Sequence, residues 1–252
     1  MQDHCLNCNH KTAGKFCSNC GQKTDTHRIR LGHFIMHDML HGVWHLEKGI
    51  LFTLKETFTR PGKAALDYIS GKRIRYYNVF YLSLLLIGLS ILLSHFLNYM
   101  HPEINETDKD SAVILQFFEK YVKLIVLATV PILALTALVV FRRMRLNLAE
   151  HLIIGGFNLI GMIIINLLVL LANFANLYDV PAIFGYLEVG FFFCMVLFPM
   201  WGYWNLTKGT YRFGGFLWRI ILFYLLLFIE IFVLLLLIIV LLTGKTELYL
   251  NI

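Results

Sequence analysis

Apolar residues in this chain gather into five long runs, separated by polar, charged or small-residue breaks. The runs cover residues 77–97, 121–141, 151–173, 183–204 and 216–242. Each holds about 20 residues or more, and about 20 helical residues cross a hydrocarbon layer of about 30 Å at 1.5 Å per residue. Backbone N–H and C=O groups find no water inside a bilayer, so the runs are expected to be helices. The alternating pattern of a membrane barrel strand is absent. The expected fold is an all-α membrane protein with five transmembrane helices in a bundle over 77–243. Residues 244–252 form a short tail.

The region before the first run has another periodicity. At 100° per residue, Leu31, Ile35, Met36, Met39, Leu40, Val43 and Leu46 share one face of a helix over 31–47. His33, His37, His41 and His45 share the other, with Asp38 beside the last two. A second helix is expected over 50–58, broken at Arg60-Pro61-Gly62, and a third over 63–70, closed by Gly71. Residues 27–76 are thus read as a juxtamembrane amphipathic helical region lying along the cytoplasmic membrane surface. No internal repeat is expected.

Composition agrees with lipid as the main solvent. Of 252 residues 58% are hydrophobic and 15% charged, and the mean hydropathy is +0.67. Soluble domains are about a quarter charged. The net charge of +6 is read as cytoplasmic loop charge, and no nucleic-acid partner is expected. Lys72, Arg73 and Arg75 precede the first run, Arg142, Arg143 and Arg145 follow the second, and Lys208 and Arg212 follow the fourth. In a five-span layout these clusters fall on one side, which puts the N-terminus in the cytoplasm and the C-terminus outside. The fourth run, with Glu188 and Pro199, is the weakest span. No apolar leader precedes about Val79, so insertion is expected to be directed by the internal helices.

Residues 1–26 carry two C-x-x-C pairs, Cys5 with Cys8 and Cys17 with Cys20. Two such turns aim four thiolates at one point, the donor set of a structural zinc. A zinc knuckle pair, or ribbon, that folds with its metal is expected there. Disulfides or a redox pair are the alternative, and a cytoplasmic location disfavours structural disulfides. His4 and His10 are neighbours rather than expected ligands, and Cys194 reads as an ordinary apolar residue. Histidines at i and i+4 can share a metal, so His37, Asp38, His41 and His45 form a second metal or proton-handling candidate. The plainer reading is a polar face on an interfacial helix.

Inside the expected spans, Glu230 is the ionisable group at greatest depth, with Ser90 and Asn166 as candidate partners. Asn158, Asn166 and Asn173 with Gly155, Gly156 and Gly161 mark the third span as one packed within the bundle. Glu150 and His151 read as a helix cap.

An ordered series of short motifs runs through the first third of the chain. It starts with the two knuckles and continues with His37-Asp38, His41 and His45, then Lys48-Gly49. Phe58-Thr59-Arg60-Pro61-Gly62 follows, and then Tyr68-Ile69, Gly71-Lys72-Arg73 and Arg75-Tyr76. This series resembles a bacterial membrane-protein family of unknown function, domain of unknown function 3667. The resemblance implies location and architecture and supplies no catalytic residue. No nucleotide-binding, hydrolase or metalloprotease fingerprint is present. The expected function is a non-enzymatic protein-docking or assembly component of the bacterial inner membrane, acting through the zinc ribbon and the juxtamembrane helices. Two rivals stand beside it. One is a small-molecule transporter or lipid-handling protein that uses Glu230, and the other is a metal-dependent membrane enzyme that uses the His33 to His45 face.

Overall fold

The computed structural model describes residues 3–24, 28–29, 49–100, 126–175 and 183–243. The helix expected over 31–47, with its His37, Asp38, His41 and His45, lies outside these residues, as do the 101–110 loop and the tail from 244. Seven α-helices occur among the described residues: α1 Ile50–Thr59, α2 Pro61–Ile69, α3 Val79–Met100, α4 Val126–Val140, α5 Leu148–Ala175, α6 Ile183–Thr207 and α7 Phe213–Thr243. Among those residues there are no strands, only isolated bridges. Helices α3, α5, α6 and α7 are long and apolar enough to cross a membrane. The described part of the second expected run, α4, is shorter, because residues 121–125 fall outside the described set.

The bundle is built around α5. Of its apolar stretch 61% is buried, against 11% for α7. Small residues on α5 let its neighbours approach. Gly155 faces the Val130 carbonyl of α4, Gly156 faces Val79 of α3, and Gly161 lies under the ring of Phe198 from α6. An aromatic stack then joins α4, α6 and α7. Phe141, just past α4, lies flat on Tyr203 with ring centroids 4.7 Å apart, and Tyr203 meets Phe223 of α7 at 5.2 Å. The outer face of α7 presents Phe228, Ile229, Phe232 and Val233. That face suits lipid and no aqueous surface.

The two short helices pack against the bundle, the second more deeply than the first. The Arg60 N–H donates to the Glu56 carbonyl and ends α1, while the Arg60 carbonyl accepts from Ala64 and begins α2. A single residue therefore separates them, and Pro61 sits at the first helical position, where its missing N–H costs nothing. Pro61, Gly62, Ala64, Ala65 and Tyr68 of α2 are buried. They pack on α5 and α6, so protein rather than lipid headgroups covers this face. The contact is tight enough that a Cβ on Gly62 would collide with the Gly202 carbonyl, and one on Gly202 would collide with the Asn158 amide. At 28 residues, α5 is about 42 Å long, more than the hydrocarbon layer requires. The excess length gives α1 and α2 a wall to lean on.

Thr53 closes this layer onto the first span. Its hydroxyl donates to the Gly49 carbonyl at 2.7 Å and accepts the Tyr77 N–H at 2.7 Å. A Cβ at position 49 would stand 2.9 Å from the Arg75 carbonyl, so only glycine fits where α1 crosses the approach to α3.

Gly62→Ala is expected to destabilise the detergent-solubilised protein by about 1–3 kcal/mol, the usual cost of overpacking. Gly88→Ala, with nothing within 4 Å of the added carbon, is expected to leave stability unchanged. Thermal melts of the two variants check this contrast, and equal melts contradict it.

Candidate metal centre

The N-terminal segment builds the same turn twice. Cys5, Asn7, Cys8, Lys11 and Thr12 recur as Cys17, Asn19, Cys20, Lys23 and Thr24. The backbone repeats as well. The Asn9 N–H donates to the Cys5 carbonyl at 2.8 Å, and the Gly21 N–H donates to the Cys17 carbonyl at 2.8 Å. Cys5 N–H bonds the His10 carbonyl at 2.9 Å, as Cys17 N–H bonds that of Gln22 at 2.8 Å. One antiparallel bridge closes each turn, His4 with Lys11 and Phe16 with Lys23. Asn9 and Gly21 occupy equivalent positions with φ of 59° and 76°, where asparagine and glycine are the residues that tolerate a left-handed backbone. The expectation of no internal repeat is therefore corrected: a short tandem repeat was present in the residue types and passed unnoticed.

The two turns face each other and bring four thiols together. Their Sγ atoms all lie within 4.8 Å of one another. Cys5 to Cys20 and Cys8 to Cys17 are both 3.6 Å. A disulfide needs about 2.05 Å, and all four cysteines are free. Four thiolates placed tetrahedrally at 2.3 Å from one ion would be about 3.8 Å apart. The observed spacing fits a tetrahedral ion with small adjustment. These four thiols are the only such metal-ligating group among the described residues, and His4 and His10 stand exposed beside it.

The thiols are not electrostatically equal. Burial pushes Cys5 up to about 11. Cys8 is pulled down to about 6, chiefly by the backbone N–H of His10 and then by the side chain of Asn19. A negative sulfur is thus already favoured at Cys8 and opposed at Cys5, where a cation must supply the compensation. With every ligand position taken by a thiolate, a bound ion has no open site for substrate.

The second turn is fastened to the bundle. The Gln22 side chain is buried and donates to the Gly71 carbonyl at 2.6 Å, just past the end of α2. Across the same joint, Arg75 donates to the Asn7 side chain at 2.8 Å and to the Asn7 carbonyl at 3.2 Å. Gly71 itself has φ +106° and ends α2. Asp67 secures the turn from below: Lys72 donates to it at 2.7 Å, and Arg60 pairs with it at 3.6 Å. Burial holds the Tyr76 hydroxyl well above its usual range, with the charge of Asp67 next in effect. It therefore stays protonated and donates to Asp67 at 3.4 Å.

A second fastening follows the ribbon in sequence. Arg28 grips Glu150 with two bonds of 2.7 Å and donates to the Arg145 carbonyl at 2.8 Å. Glu150 and Asn147 form a reciprocal cap on α5, each side chain accepting the other's N–H at 2.8 and 2.9 Å. Asn147 also donates to the Ile29 carbonyl at 2.9 Å. Glu150 thus caps α5 as the sequence implies, and its anchoring role for Arg28 went unread.

Among the intramembrane candidates, Glu230 meets neither expected partner. Thr136 on α4 donates to it at 2.6 Å. Ser90 is half-buried, its hydroxyl oxygen covered and without a hydrogen-bond partner, and Asn166 is exposed. Asn158 is buried beside Gly202 and Cys194 is exposed.

Replacing Cys5 and Cys17 together by serine is expected to reduce bound metal from one ion per chain to none, read by elemental mass spectrometry on the purified protein. Metal retention in the unaltered chain is expected to fall as pH drops, because binding requires thiolates and releases protons. Full metal content in the double variant contradicts the assignment.

No curated protein and no solved structure matches the chain. A family model does match part of it. Residues 47–89, which hold α1, α2, the turn that receives the ribbon and the first half of α3, match the family described as Protein of unknown function (DUF3667).

Proposed function

We propose that this chain is a non-enzymatic component of a bacterial inner membrane that docks a protein partner on its zinc-bound ribbon. In this reading the protein crosses the bilayer five times, with the ribbon in the cytoplasm and the C-terminus outside. The basic clusters at Lys72 to Arg75, Arg142 to Arg145 and Lys208 to Arg212 support that orientation. Zinc is the metal that best suits four thiolates in a tetrahedral, closed site.

One observation carries the docking role. The ribbon spends its polar side chains Asn7 and Gln22 on the bundle and leaves its apolar ones outside. Phe16 is 63% exposed and Leu6 39%. Lys11, Lys15 and Lys23 are exposed on the same small module, and residues 1–26 hold these three lysines against two aspartates, Asp3 and Asp25. A rigid, basic knob with aromatic and aliphatic tips suits a partner with an acidic rim around an apolar pocket. A transport reading has less support, because the bond from Thr136 already occupies Glu230 and neither Glu230 nor Asn166 lines the cavity described below. A catalytic reading would rest on His37, Asp38, His41 and His45, which lie outside the described residues.

A photo-crosslinking residue placed at position 16 in native membranes is expected to capture a defined protein. Phe16→Asp is expected to lower its co-purification at least fivefold with metal content unchanged. Recovery of the same protein after deletion of residues 1–24 contradicts the docking role.

A further inference from the structure

A slot of about 250 Å³ opens between α3, α4 and α5, with Tyr68 of α2 in its lining. Val79 and Phe80 of α3, Leu127 and Val130 of α4 and Leu152 of α5 line it. The wall is apolar almost throughout. Its Ser83 hydroxyl already donates to the Val79 carbonyl at 2.8 Å. Water needs two to four polar partners to stay in a cavity, and this slot does not offer them. An empty apolar void costs stability in proportion to its volume, so a hydrocarbon occupant is favoured.

Position and charge narrow the occupant. The slot uses the start of α3 and the N-terminal half of α5, so it runs from the ribbon's side of the bundle inward to Leu127 of α4. Its ribbon-side end is at the depth at which lipid headgroups give way to acyl chains if the helices span a bilayer. Tyr68 lines the slot, and the Arg73 guanidinium stands beside its ring, 5.9 Å from the centroid. An apolar slot with a cation close to one lining ring complements a molecule with an apolar tail and an anionic head.

We propose that the slot holds one acyl chain of an anionic phospholipid, with the headgroup phosphate on Arg73. The assignment rests on the helices being membrane spans and is independent of any partner of the ribbon. Tyr68 binds α2 to the lipid as well as to Phe157 of α5, 6.0 Å away between ring centroids. The lipid would thus fill the space that α2, α3, α4 and α5 leave between them.

Native mass spectrometry of the full chain released from detergent tests this, with dioleoyl phosphatidylglycerol and dioleoyl phosphatidylcholine as probes. The unaltered chain is expected to retain one phosphatidylglycerol about fivefold more tightly than phosphatidylcholine, the usual effect of one basic side chain on an anionic lipid. Leu152→Trp and Leu127→Trp each fill the slot and are expected to weaken retention of both lipids at least fivefold. Arg73→Gln is expected to abolish the headgroup preference while phosphatidylcholine binding persists. Inorganic phosphate at about 0.15 M, on the order of physiological ionic strength, is expected not to displace the lipid, which separates a lipid site from a phosphate site. Equal retention of the two lipids by the unaltered chain overturns the proposal. So does undiminished retention in both tryptophan variants, which would mean the lipid sits elsewhere on the bundle.

Discussion

The close approach of α2 to α6 at Gly62 and Gly202 is the constraint on which the rest of the structure depends. Gly62 lets its helix meet the backbone of α6 where any larger residue would strike the Gly202 carbonyl, while the Asn158 amide of α5 leaves no room for a Cβ on Gly202. Because α2 seats there, Ala64, Ala65 and Tyr68 reach the wall of α5. Because α2 is fixed, the turn after it is fixed, and with it the start of α3 through Thr53 and Tyr77. The residues that match the unknown-function family are this same stretch. Gly49, Pro61, Gly62 and Gly71 in this stretch then have a physical purpose: they make a compact joint between a membrane bundle and whatever sits beneath it.

The ribbon is what sits beneath. Two turns of about ten residues bury too little apolar surface to hold themselves together. Their only large source of order is four thiolates converging on one point. Once ordered, the ribbon presents Gln22 and Asn7 to the joint at fixed separation, and those side chains meet Gly71 and Arg75. A metal ion held by the four cysteines would in this way be linked to the bundle through two polar contacts. Arg28 on Glu150 adds a second tether farther along the chain. A ribbon held at two points has limited freedom to swing, so its exposed Phe16 and Leu6 face a constant direction.

Much of this was legible in the sequence where a single physical demand dominates. Lipid forces long apolar runs to be helices, and four of the expected runs are helices long enough to span. C-x-x-C spacing forces thiols together, and all four Cys came together. The break at Arg60 was legible, but the helix after it starts at Pro61 rather than at residue 63, because proline fits the first helical position. The burial of α2 was not legible, because alanine and glycine carry little hydropathy and reveal their role only when a neighbour approaches. The pairing of Thr136 with Glu230 joins residues far apart in sequence, as does that of Arg28 with Glu150, and no local pattern encodes either. The twelve-residue repeat is present in the residue types, Asn7, Lys11 and Thr12 recurring as Asn19, Lys23 and Thr24, but these are common loop residues and carry no hydropathy signal. The histidine face of 31–47 belongs to neither group, lying outside the described residues.

Hydrogen–deuterium exchange on the full chain in detergent, with metal bound and after chelation, tests the link between the ribbon and the joint most directly. If coordination orders the contacts of Gln22 and Asn7, chelation makes amides of residues 71–77 exchange at least tenfold faster, about 1.4 kcal/mol of lost protection. The amides in the middle of α5 and α6 keep their protection. Identical exchange of residues 71–77 in the two states would contradict the account, for the joint would then owe nothing to the metal.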